Sequence, residues 1–279
     1  MNPDIASEVA RALAEDIGPG DVTAALVPAA QRALATLITR EPIVLCGTAW
    51  VDETFRQLDP SIAVRWQLRD GEEPAANAVL CQIEGPARAI LSGERCALNF
   101  LQTLSGTATT TRRFVNAVTG TGCQILDTRK TIPGLRLAQK YAVRCGGGSN
   151  HRLGLHDMVL IKENHAIAAG GIATAIAAAR RNSPGVPVEV EVETLGEFRA
   201  ALAAGPEVIM LDEFTPADLR QAVAERRAGG GGARLEVSGG VTLENIRTLA
   251  STGIDYISVG ALTKHLVAAD LSLRFEPLQ

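Results

Sequence analysis

The sequence predicts an α/β protein in which a parallel β/α barrel, short of eight strands, follows a separate α+β domain. Three observations predict it. From about residue 123 onward short apolar runs alternate with helical stretches, the pattern of parallel βαβ units. The runs are nearly continuous in Val, Ile and Leu, as befits strands covered on both faces. Most of them also end in residues with chemistry to offer, and a barrel gathers its strand ends at one mouth, whereas an open sheet collects ligands at a switch point.

The strands expected are QILDT (124–128), DMVLIK (157–162), PVEVEV (187–192), EVIMLD (207–212), RLEVS (234–238) and DYISVG (255–260). Helical patterning fills the gaps with IATAIAAARR (172–181), LGEFRAALAA (195–204), PADLRQAVAERR (216–227) and LENIRTLAST (243–252). Upstream, turns such as GPGDVT (18–23) and EGPARA (84–89) separate short β-type runs, ALATLITR (33–40) and ANAVLCQIEG (76–85), which mark the α+β domain. Between the domains, 92–120 reads as a helical linker whose apolar period at Ala97, Leu98, Leu101 and Leu104 is interrupted by Ser105-Gly106. GGGG at 229–232 reads as a surface turn. The first domain is expected over 1–105, with 266–279 completing it if the C-terminal LRFEPLQ returns there, and the barrel over 106–265.

With 279 residues, 46% of them hydrophobic, the chain has ample material for a buried core. It shows no charged-then-apolar leader and no apolar run near 18 residues, so a cytoplasmic protein without a membrane partner is expected. Five widely spaced cysteines without a CxxC pair predict reduced thiols rather than a disulfide framework or structural zinc. A net charge of −4 gives no reason to expect nucleic acid. Yet residues 94–165 hold ten Lys or Arg against four acids, a net of +6 that leaves −10 for the remainder. Such segregation predicts a focused site for a small polyanion.

DTRKTIPG (127–134) sets Arg129 and Lys130 directly after a strand, where neighbouring cations repel unless an anion lies between them. HRLGLHDMVLIKENH (151–165) holds three of the four histidines. In it Lys162 ends a strand, while His151 and Arg152 follow the glycines 146–148, which let backbone approach a ligand. His151, His156 and His165 lack the i,i+4 spacing of a helical zinc site. EVEVET (189–194) alternates, so Glu189, Glu191 and Glu193 are expected on one face. With Asp212 these acids suit Mg²⁺ or sugar hydroxyls, unless they merely pair with neighbouring cations. SGG (238–240) and VGA (259–261), after the last two strands, suit a backbone phosphate cradle.

GERCALNFLQTLSGTATTTRRFV, DTRKTIPGLRLAQKYAVRCGGGSNHRLGLHDMVLIKENH, EVEVET, LDEF, EVSGGV and DYISVGALTKH, in that order, strongly resemble the quinolinate phosphoribosyltransferase family. The likeness runs from residue 15 to 275 and includes EDIGPGDVT near the start. The resemblance implies an N-terminal α/β-sandwich domain, an incomplete TIM-like barrel and a homodimer or higher homo-oligomer with shared active sites. It implies transfer of the phosphoribosyl group of phosphoribosyl pyrophosphate (PRPP) to the ring nitrogen of quinolinate, with loss of the 2-carboxylate as CO₂. Quinolinate would meet Arg95 from the neighbouring subunit, together with Thr128, Arg129, His151, Arg152 and Lys162. PRPP and its Mg²⁺ would meet Lys130, Glu191, Asp212, Ser238, Gly239, Gly240, Val259, Gly260 and Ala261. Lys130, Glu191 and Asp212 would carry the catalytic work, with Glu191 and Asp212 also the candidate Mg²⁺ ligands. Some relatives place His directly after ALT where this chain has Lys264 and then His265, so either of the two is a candidate for the diphosphate. Two rivals remain open at this stage: a molybdenum-associated homologue with another acceptor, and a Schiff-base lyase acting through Lys162.

Overall fold

Two sheets of different character organise the chain in the computed structural model, which describes residues 3–278. In chain order the elements begin with α1 (Ile5–Ile17), β1 (Arg32–Thr39), α2 (Thr48–Leu58), β2 (Ala63–Trp66), β3 (Val79–Pro86) and α3 (Ala87–Ala117). Then come β4 (Gln124–Leu126), α4 (Arg136–Cys145), β5 (Val159–Ile161), α5 (Glu163–Ala168), α6 (Ile172–Asn182), β6 (Val188–Val192) and α7 (Leu195–Ala204). The last are β7 (Val208–Asp212), α8 (Pro216–Ala228), β8 (Arg234–Ser238), α9 (Ile246–Ala250), β9 (Tyr256–Ser258), α10 (Ala261–Lys264) and β10 (Leu271–Pro277). Among the described residues no helix is long and apolar enough to cross a membrane.

The chain divides into two compact units: Met1–Arg112 with Thr131–Gly147 and Leu262–Gln279, and Arg113–Lys130 with Gly148–Ala261. These divisions fall elsewhere than the expected boundaries at 105 and 265. The ends of those expected spans, Met1, Asn2 and Gln279, lie outside the described residues. Segment 131–147 joins the first unit because α4 buries Ala138 and Ala142 in a cluster with Val9, Val44, Trp50 and Leu104. Sequence proximity to a strand does not reveal such a long-range contact.

In the first unit the antiparallel sheet runs β10-β1-β3-β2. The C-terminal segment does return here, pairing with β1 from Ala33↔Pro277 to Thr39↔Leu271. Ala33, Ala35 and Leu37 alternate inward on β1 and bury with Leu80, Ile83, Phe55, Ile90 and Leu101. Full burial of side chains such as Leu or Phe contributes roughly 1.5–3 kcal/mol each. The expected break at Ser105-Gly106 does not occur, and α3 runs through it for 31 residues. Glycine stands there because a Cβ at Gly106 would lie 2.1 Å from the Val267 carbonyl oxygen. Ser105 is buried and donates its hydroxyl to the Cys46 carbonyl. All five cysteines are free, four of them buried.

In the second unit six parallel strands lie in the order β4-β9-β8-β7-β6-β5. That is sequence order closed on itself, the first strand pairing with the last, which is barrel rather than doubly wound topology. The ring is open at one seam, between β4 and β5. At that seam Ser149 makes a single parallel bridge to Leu126. The expected strands and their helices are all present, with α9 shorter than the sequence suggests. On β6 the fully buried Val188, Val190 and Val192 share one face, and Glu189 and Glu191 lie on the other. Glu193, expected on that second face, follows the end of β6 and is exposed. Its backbone N–H instead meets Glu197 at the capped start of α7.

Candidate active site

Strand ends of the second unit surround a cavity of about 370 Å³ lined by Thr128, Arg129, Lys130, His151, Arg152, Leu160, Lys162, Glu191, Met210, Glu236, Ser238 and Ser258. A cavity of about 390 Å³ in the first unit is lined by Glu8, Glu15 and Asp16 with Arg11 as its cation. Three carboxylates there would repel an anion, so the smaller cavity is the one with the chemistry the sequence predicts.

The cations are held by the chain segment at the open seam. Buried Asp127, after β4, accepts the backbone N–H of His151 at 2.9 Å and the side-chain amide of Asn150 at 2.5 Å. Two residues on, Arg129 and Arg152 face one another closely enough that their repulsion, after burial, pulls Arg152 down from the ordinary arginine value. Glu189 and Asp157 pull it the other way. Among the described residues neither guanidinium has an ion-pair partner, and Arg129 Nε is buried without a hydrogen bond. Arg152 Nη1 reaches only the Met158 carbonyl, at 3.5 Å.

Lysines and acids share the neighbouring wall. Lys162 forms an ion pair with Glu191 on the adjacent strand β6. Lys130 donates its backbone N–H to Thr128 Oγ1 at 3.1 Å and lies over Gly260, where a Cβ would come within 3.0 Å of Lys130 Cδ. Burial, Glu191 and Glu213 raise the Asp212 carboxyl above the usual range, while Lys162 and Lys130 oppose the rise. Glu213 sits at φ 56, a left-handed conformation uncommon for a side chain of its size. At Gly239, φ 87, a Cβ would stand 2.9 Å from Asp212 Oδ1 and 3.1 Å from Glu213 Oε1. Glycine there lets backbone and acids share the space. Asp212 and Glu191 are hard oxygen donors of the kind Mg²⁺ takes with substrate phosphates, but with Glu213 they do not gather into a three-ligand cluster among the described residues, so Mg²⁺ there would depend on substrate phosphates for most of its shell.

Of the residues singled out in the sequence, Thr128, Arg129, Lys130, His151, Arg152, Lys162, Glu191 and Ser238 line the cavity. Asp212, Gly239, Gly240, Val259, Gly260 and Ala261 belong to the same unit without lining it. Arg95, Lys264 and His265 belong to the first unit and are exposed. The three clustered histidines separate. His151 turns inward, His156 is exposed, and His165 accepts the Lys162 backbone N–H at 3.1 Å as part of the capping of α5. Leu160, Met210, Glu236 and Ser258 went unread in the sequence. Each stands two residues before a strand-end residue that was read (Lys162, Asp212, Ser238 and Gly260), so strand alternation carried the signal.

Residues 107–274 match the family described as quinolinate phosphoribosyl transferase, C-terminal domain, and residues 21–105 match its N-terminal domain. The chain is 43% identical to a nicotinate-nucleotide pyrophosphorylase [carboxylating] of Mycobacterium leprae, over 95% of each chain. It is 41% identical to a probable nicotinate-nucleotide pyrophosphorylase [carboxylating] of Bacillus subtilis, over 93% of this chain and 89% of that one. A solved nicotinate-nucleotide pyrophosphorylase of Francisella tularensis superimposes with a TM-score of 0.94 at 48% identity, covering 98% of this chain and 96% of the other. With both domains matched and likeness along nearly its whole length, the chain belongs to the quinolinate phosphoribosyltransferase family.

Proposed function

We propose that the protein transfers the phosphoribosyl group of PRPP to the ring nitrogen of quinolinate, releasing diphosphate and CO₂ and giving nicotinate mononucleotide for NAD biosynthesis. The observation that carries this reading is the pair Arg129 and Arg152, two cavity-lining guanidiniums with no carboxylate partner among the described residues. A planar diacid supplies the two carboxylates they lack.

The pyridine nitrogen has its own lone pair, so attack on the anomeric carbon needs no general base. Catalysis then rests on holding two mutually repelling anions in line, and orientation alone supplies roughly 7–11 kcal/mol in favourable cases. Lys162 is committed to an ion pair with Glu191, which disfavours its use as the free amine of a Schiff-base route. Glu191 and Asp212 would face the ribose as positive charge develops on it, and Lys130 would face the departing diphosphate. Asp212 and Glu191 would also hold Mg²⁺, whose charge offsets that of the leaving group when bound. Attack makes the ring nitrogen cationic, and that cation stabilises the electron pair left on C2 when the 2-carboxylate departs as CO₂; a proton from solvent then completes the C2–H bond of nicotinate mononucleotide.

The resemblance further supports a homodimer or larger assembly in which Arg95, exposed on α3, serves the cavity of a neighbouring copy. Five free thiols suit a cytoplasmic setting. Incubating the pure protein with quinolinate, PRPP and Mg²⁺ should yield nicotinate mononucleotide and CO₂ in equal amounts. Turnover of nicotinate without CO₂, or no turnover of quinolinate, would overturn the proposal.

A further inference from the structure

At the floor of the cavity three largely buried ionisable side chains meet. Glu189 on β6 and Glu236 on β8 are 0% and 1% exposed, and the His151 ring is 8% exposed. His151 Nε2 lies 2.8 Å from Glu189 Oε2 and 3.6 Å from Glu236 Oε2. On the other side of the ring, Nδ1 accepts the backbone N–H of Arg152 at 2.8 Å. A nitrogen that accepts carries no proton, so a neutral ring holds its proton on Nε2, the nitrogen nearest Glu189.

These three residues resemble a metal cluster, and their ligand atoms lie within 4.8 Å of one another. The distances decide against a metal. Ligands about 2.0–2.2 Å from a tetrahedral zinc stand roughly 3.3 Å apart, whereas Nε2 and Oε2 stand 2.8 Å apart, the close approach of a buried imidazole–carboxylate pair. Burial first, and then the Glu189 carboxylate, push Glu236 up to about 8.

We propose that Glu189, backed by Glu236, is a positioning residue for the diacid: it fixes the His151 ring, which through Nδ1 fixes the Arg152 backbone and so aims that guanidinium beside Arg129. The inference rests on the reading of the cavity as a quinolinate site. Asp127 completes the clamp by holding the His151 backbone while Glu189 holds the ring.

Full-length protein labelled with nitrogen-15 in its four histidines tests this directly, with H156N, H165N and H265N assigning His151 by elimination. At pH 7.5 the wild-type His151 ring should be neutral with its proton on Nε2, and E189A should lose that single tautomer. In steady-state assays E189A should raise KM for quinolinate about tenfold while leaving KM for PRPP in place. E189Q, which keeps an oxygen for the Nε2 proton, should recover most of that loss. A merely structural role would lower kcat through the folded fraction and move neither KM. A wild-type ring protonated on Nδ1 or on both nitrogens would overturn the proposal even if E189A does not fold. An unchanged quinolinate KM in E189A, or both KM values rising together, would do the same. Wild-type protein that forms no nicotinate mononucleotide would instead sink the functional reading, and the ring measurement would still decide the role of Glu189.

Discussion

Arg129 and Arg152 face one cavity with no carboxylate between them, and burial together with their mutual repulsion costs Arg152 some of its affinity for its proton. A cavity arranged this way is poised for an anion with two forks of its own. Replacing Arg152 by lysine keeps the charge and removes the fork. R152K should lower kcat/KM for quinolinate about 10- to 100-fold, the range expected for losing charge-assisted hydrogen bonds worth ~1.5–3 kcal/mol. R220K, at an exposed position of α8, serves as the control and should stay near wild type. Equal rates in the two variants would remove Arg152 from the site.

Glu236 gives the protein a pH-dependent weakness. Its carboxyl is pushed up to about 8, by burial and then by Glu189, against the pull of His151 and Ser258. In the unfolded chain the group ionises near ~4.3. Between those values the folded state retains a proton that the unfolded state has lost, so stability falls as pH rises, by up to ~1.4 kcal/mol per pH unit. E236Q lacks that titration. The Tm of E236Q minus that of wild type should therefore grow from pH 5 to pH 8, and a gap that stays constant over this range would refute the assignment.

Gly106 is where α3 meets the backbone near Val267. A methyl group 2.1 Å from a carbonyl oxygen cannot be relieved by a side-chain rotation, because the obstacle is main chain. G106A should cost about 3 kcal/mol, the upper part of the range for overpacking. G232A, where a Cβ would meet nothing within 4 Å, should be nearly neutral. Chemical denaturation of the two variants side by side makes the comparison.

The proposal that Arg95 serves the cavity of a neighbouring copy in a homodimer predicts rescue between subunits. R95A and K162A homodimers should each be inactive, because one lacks the donated arginine and the other the lysine of the receiving cavity. Mixed and allowed to exchange, half the dimers become hybrids with one intact site, so activity should recover to about a quarter of the wild-type level. No recovery, despite exchange shown by mass spectrometry, would place Arg95 in its own subunit's site or in none.

Much of the second unit was legible because its information is local. Alternation within five-residue strands and cations following strand ends both lie within a few positions of one another. What escaped depends on distant contacts. Ser105-Gly106 reads as a break by propensity, yet the glycine answers to Val267, far along the chain. Segment 131–147 reads as part of the barrel, yet α4 buries its apolar face with Val44 and Trp50. The histidine cluster was legible as a cluster only. Whether a ring faces substrate, solvent or a helix terminus depends on Glu189, Glu236 and the turn of α5, none of which the spacing of histidines encodes.

The return of β10 to β1 makes the first unit depend on three separate stretches of chain. During synthesis β1, β2 and β3 leave the ribosome well before β10 and must wait with one sheet edge uncovered until Leu271–Pro277 has emerged. The edge is eight residues long and holds Arg32 at its start, a charge that discourages the wrong partner from adding there. A chain stalled before Leu271 would carry that open edge permanently, so protein quality control, rather than loss of catalysis, would be the first to notice a late truncation.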